Sequence, residues 1–224
     1  MKQFLIATAA LFCIHTAVTA QEGADKVAAY KKTITERAAR IVVKLNITDS
    51  VKFKKITTIV AQQYFDLNDI YNRRDAAVKA LKDAAGTGSK PDAAAMQAVE
   101  TTTTTSTDSL HKIYIATLSR QLTEEQVTTI KDGMTYGVLP LTYGAYLDMI
   151  PTLTEPQKKQ IMEWLVEARE HSMDAESSEK KHAWFGKYKG RINNYLSKEG
   201  YDIKKEEAGW QQRIKEKKEQ KTAG

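Results

Sequence analysis

"SVKFKKITTIVAQQYFDLNDIYNRRDAAVKALKDAA", residues 50 to 85, is the stretch whose reading decides the fold class. Its apolar side chains Ile56, Ile59, Val60, Leu67, Ile70, Tyr71, Val78 and Leu81 fall on one arc when each residue is turned by about 100° from the last. That spacing predicts one long helix over the whole stretch. Upstream, Tyr30, Ile34, Ala38, Ile41 and Leu45 repeat the same period from Val27 onward, so a shorter helix is expected there. The turn Asn46-Ile47-Thr48-Asp49 between them offers an N-cap for the long helix.

Downstream the pattern resumes after a breaker. "GTGSKPD", residues 86 to 92, ends the long helix, and Pro91 suits the first turn of a successor. That successor contains "TTTTTST", residues 101 to 107, which composition alone would class as a linker. Threonine is a poor helix former because its branched side chain loses χ1 freedom against the preceding turn. Yet Met96, Val99, Thr103, Thr107, Leu110, Tyr114 and Leu118 form one helical stripe, and a tertiary stripe overrides propensity. A continuous but weak helix is expected.

Two later helices announce themselves alike. "LTEEQ" at 122–126 and "LTEPQ" at 153–157 each place Thr at the N-cap and Gln at N3, the arrangement in which the two side chains satisfy orphan amides of the first turn. Leu122 and Val127 can add a hydrophobic staple to the first copy, whereas Lys158 denies it to the second. Between them "KDGMTYGVLPLTYGAYLDMIP", residues 131–151, is punctuated by Gly133, Gly137, Pro140, Gly144 and Pro151 and carries Tyr136, Tyr143 and Tyr146. It is expected to be an irregular connection with one short helix after Pro140, and irregular segments on a rigid scaffold are where sites tend to lie. Asp148 sits there between Leu147 and Met149.

The helix opened by Thr154 is apolar over more than half its circumference, through Ile161, Met162, Trp164, Leu165, Val166, Ala168 and Met173, and should be the most buried. Arg169 projects inside that arc. Its guanidinium must snorkel outward or pair with a carboxylate such as Asp148, or with a ligand anion. The next helix begins at Ser177 or Ser178 and ends at Gly200, with Tyr201 as the apolar partner beyond the cap. On it Trp184, Phe185, Tyr188, Ile192, Tyr195 and Leu196 span an ordinary core face. Gly186 and Gly190 lie opposite, flanked by His182, Lys187, Asn193 and Asn194. Two glycines four apart point to close helix packing or to a shallow polar groove rimmed by Lys187, Arg191 and Asn194.

The first twenty residues read as a secretory signal. Lys2 supplies the positive start, Phe4 to Ile14 the apolar run, and Val18-Thr19-Ala20 a small-residue cleavage site that would leave Gln21 as the first mature residue. Phe12 before Cys13 is too bulky for lipoprotein processing, and no later run approaches the roughly 20 apolar residues of an integral membrane segment. Removal of the signal takes the only cysteine, so the exported domain must be held by its core. The formal charge of +6 falls by one with Lys2. In an exported chain that favours acidic glycans or envelope surfaces over nucleic acid. The domain should run over 21–202, with 203–224 a charged helix or tail bearing only the thin stripe Trp210 and Ile214.

The expected architecture is therefore all-α, a bundle of about six helices with one irregular Gly/Pro/Tyr-rich connection. Candidate ligand-binding residues are Tyr136, Tyr143, Asp148, Arg169, His182, Lys187, Arg191 and Asn194. No catalytic residue is assigned. Glu163, Glu167 and Glu170 share what reads as a solvated helix face, and no G-x-S-x-G elbow is present. His171, Asp174 and His182 lack a tight ligand spacing, so neither a metal nor another cofactor is expected.

"KDGMTYGVLPLTYGAYLDMIP", "LTEPQKKQI", "EAREHSMD" and "KHAWFGKYKGRINNYLSKEGYD" resemble the secreted bacterial family called domain of unknown function 3826, common in Bacteroidota and often encoded near polysaccharide-degradation genes. The resemblance implies an exported protein, in the periplasm or outside the cell, and a glycan-binding or accessory role in polysaccharide utilisation. The partner would be an acidic oligosaccharide or another envelope protein. The paired LTxxQ helix starts are also similar to the periplasmic chaperone and stress-sensor family of Spy and CpxP, a second functional expectation. A glycan-active enzyme is the third.

Overall fold

The computed structural model describes residues 25–222. The expected signal segment, with Cys13 and the cleavage point after Ala20, lies outside them. The described residues are all-helical and contain no strand. They form eight α-helices and one short 3-10 turn, somewhat more than the bundle of about six helices expected. In order these are α1 (25–42), the 3-10 turn Val43–Leu45, α2 (Ser50–Ala85), α3 (Ala93–Ser119), α4 (Glu124–Met134), α5 (Val138–Met149), α6 (Glu155–Met173), α7 (Ser178–Lys198) and α8 (Ile203–Thr222).

The long helix has the bounds that its apolar arc sets. Asp49 caps it, its Oδ1 accepting from the backbone N–H of Val51 at 2.8 Å and of Lys52 at 3.1 Å. Asn46, in the left-handed region at φ 52°, ends the preceding turn, a conformation that asparagine tolerates better than most residues.

The chain divides into two compact units at Phe65/Asp66. In the first, Ile34, Ala38, Ile41, Val42 and Leu45 on the N-terminal side and Ile56, Val60 and Ala61 on α2 are buried. Tyr30 of α1 meets Phe65 with ring centroids 5.9 Å apart, and the Arg37 guanidinium lies 5.8 Å from the Tyr64 ring. In the second unit α6 packs against α7 more extensively than any other pair, and also touches α5 and α4.

The threonine run is helical throughout, as its stripe predicts. Tyr114 and Leu118 are buried and Met96, Val99, Thr103, Thr107 and Leu110 are half-buried. The hydroxyls of Thr102, Thr103 and Ser106 donate to carbonyls four residues earlier, each at 2.8 Å, so the polar atoms are satisfied within the helix itself. Pro91 stands one residue ahead of the N-cap Asp92, not inside the first turn. The Asp92 carboxylate accepts from Ala95 N–H at 2.6 Å.

Both LTxxQ starts carry N-cap threonines. Thr123 accepts from Gln126 N–H at 3.3 Å while the Gln126 amide oxygen accepts from Thr123 N–H at 3.2 Å. At the second start Gln157 accepts from Thr154 N–H at 3.0 Å.

The irregular connection expected over 131–151 shrinks to three residues, 135–137, and the correction has a local cause. Tyr136 and Gly137 turn left-handed at φ 60° and φ 69°, and α5 starts immediately after them. Pro140 falls within the first turn of α5, where its missing N–H has no intrahelical partner to lose, so it helps to start the helix that it was expected to delay. Gly144 lies mid-helix and exposed.

Helix α6 buries a narrower face than its composition suggested: Ile161, Leu165, Ala168, Arg169, Ser172 and Met173 are inside, while Met162 and Trp164 are half-buried and Val166 is exposed. The C-terminus of α6 is closed from α7 by the buried Lys181, whose ammonium donates to the carbonyls of Ser172 at 3.1 Å and Met173 at 2.7 Å. Ser177 caps α7, its hydroxyl accepting from Lys180 N–H at 3.1 Å. It ends in a Schellman motif in which Gly200 at φ 97° donates to Ser197 and Tyr201 donates to Leu196.

The readings left open for the two glycines and for the C-terminal segment are narrowed. A Cβ built on Gly186 or Gly190 meets nothing within 4 Å, so neither glycine serves close helix packing; their strip of α7 faces open space. The C-terminal segment is helix α8, docked against the core through Ile203 and Trp210. Arg213 adds hydrogen bonds from its Nη2 to the carbonyls of Asp148 at 2.8 Å and Met149 at 3.0 Å. Trp210, on the thin apolar stripe read for this segment, is one of the two side chains that seat it.

Candidate functional site

The eight residues singled out from sequence do not converge. Arg169 is inside, as its position on the arc implied, but its partners come from elsewhere. Its Nη1 donates to Asp132 of α4 at 2.9 Å, and its Nε and Nη2 donate to the neighbouring Glu170, each at 3.2 Å. Asp148 is exposed and takes no part, its carbonyl being held by Arg213. Tyr143 packs against the core, and Asn194 is exposed.

Lys187 and Arg191 lie on the α6-facing side of α7, over the rings of Trp184 at 4.9 Å and Trp164 at 4.5 Å. His182 and Tyr136 do meet, their rings stacked at 5.6 Å with 13° between planes. His171 is occupied separately, stacked on Trp184 at 4.5 Å, so the trio His171, Asp174 and His182 does not assemble.

Arg169 belongs to a partly buried charged cluster that sequence reasoning missed. His111 of α3 bonds through Nδ1 to Asp174 at 2.6 Å, and its Nε2 lies 3.5 Å from Glu170. Lys131 of α4 donates to Glu170 at 2.7 Å. Tyr71 of α2 donates to the Asp174 carbonyl at 2.8 Å, and Arg74 pairs with Glu176 at 2.5 Å. Three cations and three carboxylates balance around Arg169: Arg169, His111 and Lys131 against Asp132, Glu170 and Asp174.

The hydrogen bonds to Asp174 and then to Glu170 outweigh burial and push His111 up to about 9. Burial alone would raise Glu170, but the hydrogen bonds from His111 and Lys131 and the charges of Lys131 and Arg169 hold it at about 2. Burial, reinforced by the Asp174 charge, raises Tyr71 to about 12.

An imidazolium with both nitrogens engaged, and a carboxylate already gripped by three cations, offer neither a base nor an acid near neutral pH. The cluster joins α2, α3, α4 and α6 and acts as a staple. Nothing in the spacing of His111 announced it, because its partners lie 59 and 63 positions along the chain.

A different arrangement lies between α5, α7 and α8. A cleft of about 370 Å³ is lined by Tyr146, Lys189, Asn193, Glu207 and Trp210, with Leu141, 72% exposed, on its lip. Tyr146 is buried, which lifts its phenol to about 12 and keeps it a donor; it gives its proton to the Asn193 amide oxygen at 2.7 Å. That bond fixes the amide and leaves the Nδ2 group of Asn193 as the donor for anything in the cleft. Lys189 and Glu207 are exposed, and neither forms an ion pair among the described residues.

Trp210 is half-buried, its position fixed by core contacts. A further cleft between α2 and α3, lined by Arg73, Arg74, Thr102, Thr103 and Ser106, has no aromatic wall, and its Arg74 is already committed to Asp75 and Glu176. Asn193 is noted in the sequence as a flank of the glycine strip, whereas Lys189 stands in the same stretch and is not singled out. Trp210 reads as part of the thin stripe of a charged helix or tail, with Ile214 four positions on as its neighbour.

Fold and cleft together define an all-helical protein with an ion-paired interior corner and an open polar and aromatic depression. No helix among the described residues is long and apolar enough to cross a membrane. The family model described as protein of unknown function (DUF3826) matches residues 31–216, and the chain belongs to that family. No curated protein matches the chain.

Proposed function

We propose that the protein is an exported glycan-binding module that holds an acidic oligosaccharide in the cleft between α5, α7 and α8. The observation that carries the reading is the composition of that cleft. The Trp210 indole supplies a flat apolar face suited to the C–H face of a sugar ring. Asn193 and Glu207 supply a donor and an acceptor for hydroxyls, and Lys189 supplies a point charge for a uronate carboxylate. The signal-like N-terminus and the resemblance to a secreted family associated with polysaccharide degradation support the same reading.

The chaperone alternative has less behind it. Of the exposed large apolar residues Val27 and Tyr30 are neighbours on α1, and Val43, Val51, Ile113, Tyr136, Leu141 and Val166 are spread over other elements, whereas capture of unfolded clients calls for a contiguous apolar patch. The enzyme alternative loses its best acid and base candidates to the saturated cluster around His111.

Calorimetric titration of the purified mature chain with galacturonate oligomers and with neutral glucose oligomers tests the reading. Binding of the acidic series, weakened about tenfold by Trp210→Ala, a loss of about 1.4 kcal/mol, is expected. Lys189→Ala and Glu207→Gln change exposed side chains and keep the test informative where loss of Trp210 disturbs α8. Absence of binding to every oligomer, or binding indifferent to all three substitutions, refutes the assignment.

A further inference from the structure

The cleft is one end of a longer surface. His182, Gly186, Lys189 and Asn193 follow one another on α7 at intervals of four, three and four, so they form a single stripe along the helix. Asn193 and Lys189 line the cleft. At the other end of the stripe His182 stacks under Tyr136, a residue 47% exposed. The floor between the two ends is open, since a side chain at Gly186 would meet nothing within 4 Å.

At about 1.5 Å per residue, the stripe from His182 to Asn193 is roughly 16 Å long. Tyr136 is held in the left-handed region at φ 60°, which costs a non-glycine residue on the order of 1 kcal/mol. That unfavourable backbone presents an aromatic ring to solvent rather than to the core.

Resting on the reading of the cleft as a glycan site, we infer that its ligand is an extended, unbranched oligosaccharide running along the α5–α7 surface from Trp210 to Tyr136, with Tyr136 as a second, length-dependent aromatic subsite. A short oligomer occupies the Trp210 end, where Lys189, Asn193 and Glu207 are available. A longer one continues over Gly186 and places a further ring against Tyr136. The two aromatic ends therefore have separable effects: Trp210 acts on every ligand and Tyr136 only on those long enough to reach it.

The test measures affinity for unbranched galacturonate oligomers from dimer to octamer, in the parent chain and in Tyr136→Ala, Tyr136→Gly and Gly186→Val. Affinity should climb with length and then level off. Tyr136→Ala should remove up to about tenfold from the long oligomers and nothing from the dimer. Tyr136→Gly relieves the left-handed backbone, so the same selective loss in a chain at least as stable as the parent separates the subsite from a folding effect. Gly186→Val should obstruct long oligomers only.

Equal affinity for all lengths, or equal losses for dimer and octamer, overturns the extended subsite and leaves the cleft reading standing. No binding to any oligomer overturns both.

Discussion

Gly186 and Gly190 give the sharpest test of how α7 is used. Each lies in the interior of a 21-residue helix, each is exposed, and a built Cβ on either meets no atom within 4 Å. Glycine in such a position costs about 0.8–1.0 kcal/mol relative to alanine through backbone entropy alone. Gly186→Ala and Gly190→Ala should therefore each stabilise the chain by about 1 kcal/mol, and the double variant by about 2 kcal/mol. For a chain of this size about 1 kcal/mol corresponds to about 2–4 °C, so the double variant should melt about 4–8 °C higher.

Thermal unfolding followed by circular dichroism reads the shift, and urea titration with an unchanged slope confirms that compactness is unaltered. Gly209→Ala is the internal contrast: its Cβ would stand 3.3 Å from Nη1 of Arg213, so the helix gain is offset and the net change should be smaller. A lower melting temperature in Gly186→Ala or Gly190→Ala would mean that another backbone lies against that strip, and would refute the open surface on α7.

Other expectations concern the ion-paired corner and the caps. Arg169→Ala takes the guanidinium from Asp132 and Glu170, of which Glu170 keeps Lys131 and His111, and should cost about 2–3 kcal/mol in urea unfolding, with no direct effect on cleft binding. His111, raised to about 9 in the folded chain, contributes stability that is complete below its ordinary value of 6.5 and is lost as pH climbs through 9. Glu170, held at about 2, contributes stability that is complete above its ordinary 4.5 and is lost as pH falls through 2. Their joint contribution should peak between those two ordinary values, and urea midpoints across pH should show His111→Gln flattening the alkaline limb. Thr123→Ala removes one half of a reciprocal cap and should cost about 1 kcal/mol by the same assay. Gly200→Ala forces a Cβ into φ 97° and should cost at least as much, seen as a lower melting temperature.

Much of the secondary structure was legible because it depends on neighbours in the chain. The arc from Ile56 to Leu81 and the stripe from Met96 to Leu118 each describe one helix whose buried side the residues themselves declare. The LTxxQ starts and the Gly200 stop are equally local. The exceptions are instructive. Pro140 and Gly144 looked like interruptions, yet Pro140 falls in a first turn where proline does no harm. Trp210 and Arg213 fall in what read as a charged helix or tail, and the surface they cover belongs to α5, which that segment by itself does not reveal.

The candidate site was hardly legible at all. Arg169 reads as lying inside the apolar arc, with snorkelling or pairing left open and Asp148 the carboxylate named; that its partner is Asp132 depends on which end of α6 lies beside α4. Lys187 and Lys189 are two positions apart and were indistinguishable by type; about 200° of rotation sends one over Trp184 and the other into the cleft.

The sequence by itself determined that this chain is helical, where most of its helices begin and end, and which side of each avoids water, because those properties arise within a few residues through periodicity and capping. Tertiary structure alone decided that His111 would hold Asp174, that Arg169 would hold Asp132, and that Tyr146, Lys189, Asn193 and Trp210 would surround one depression. Helix periodicity tells which side chains are buried but carries no information on which other helix buries them. That depends on crossing angles and connections among segments dozens of residues apart.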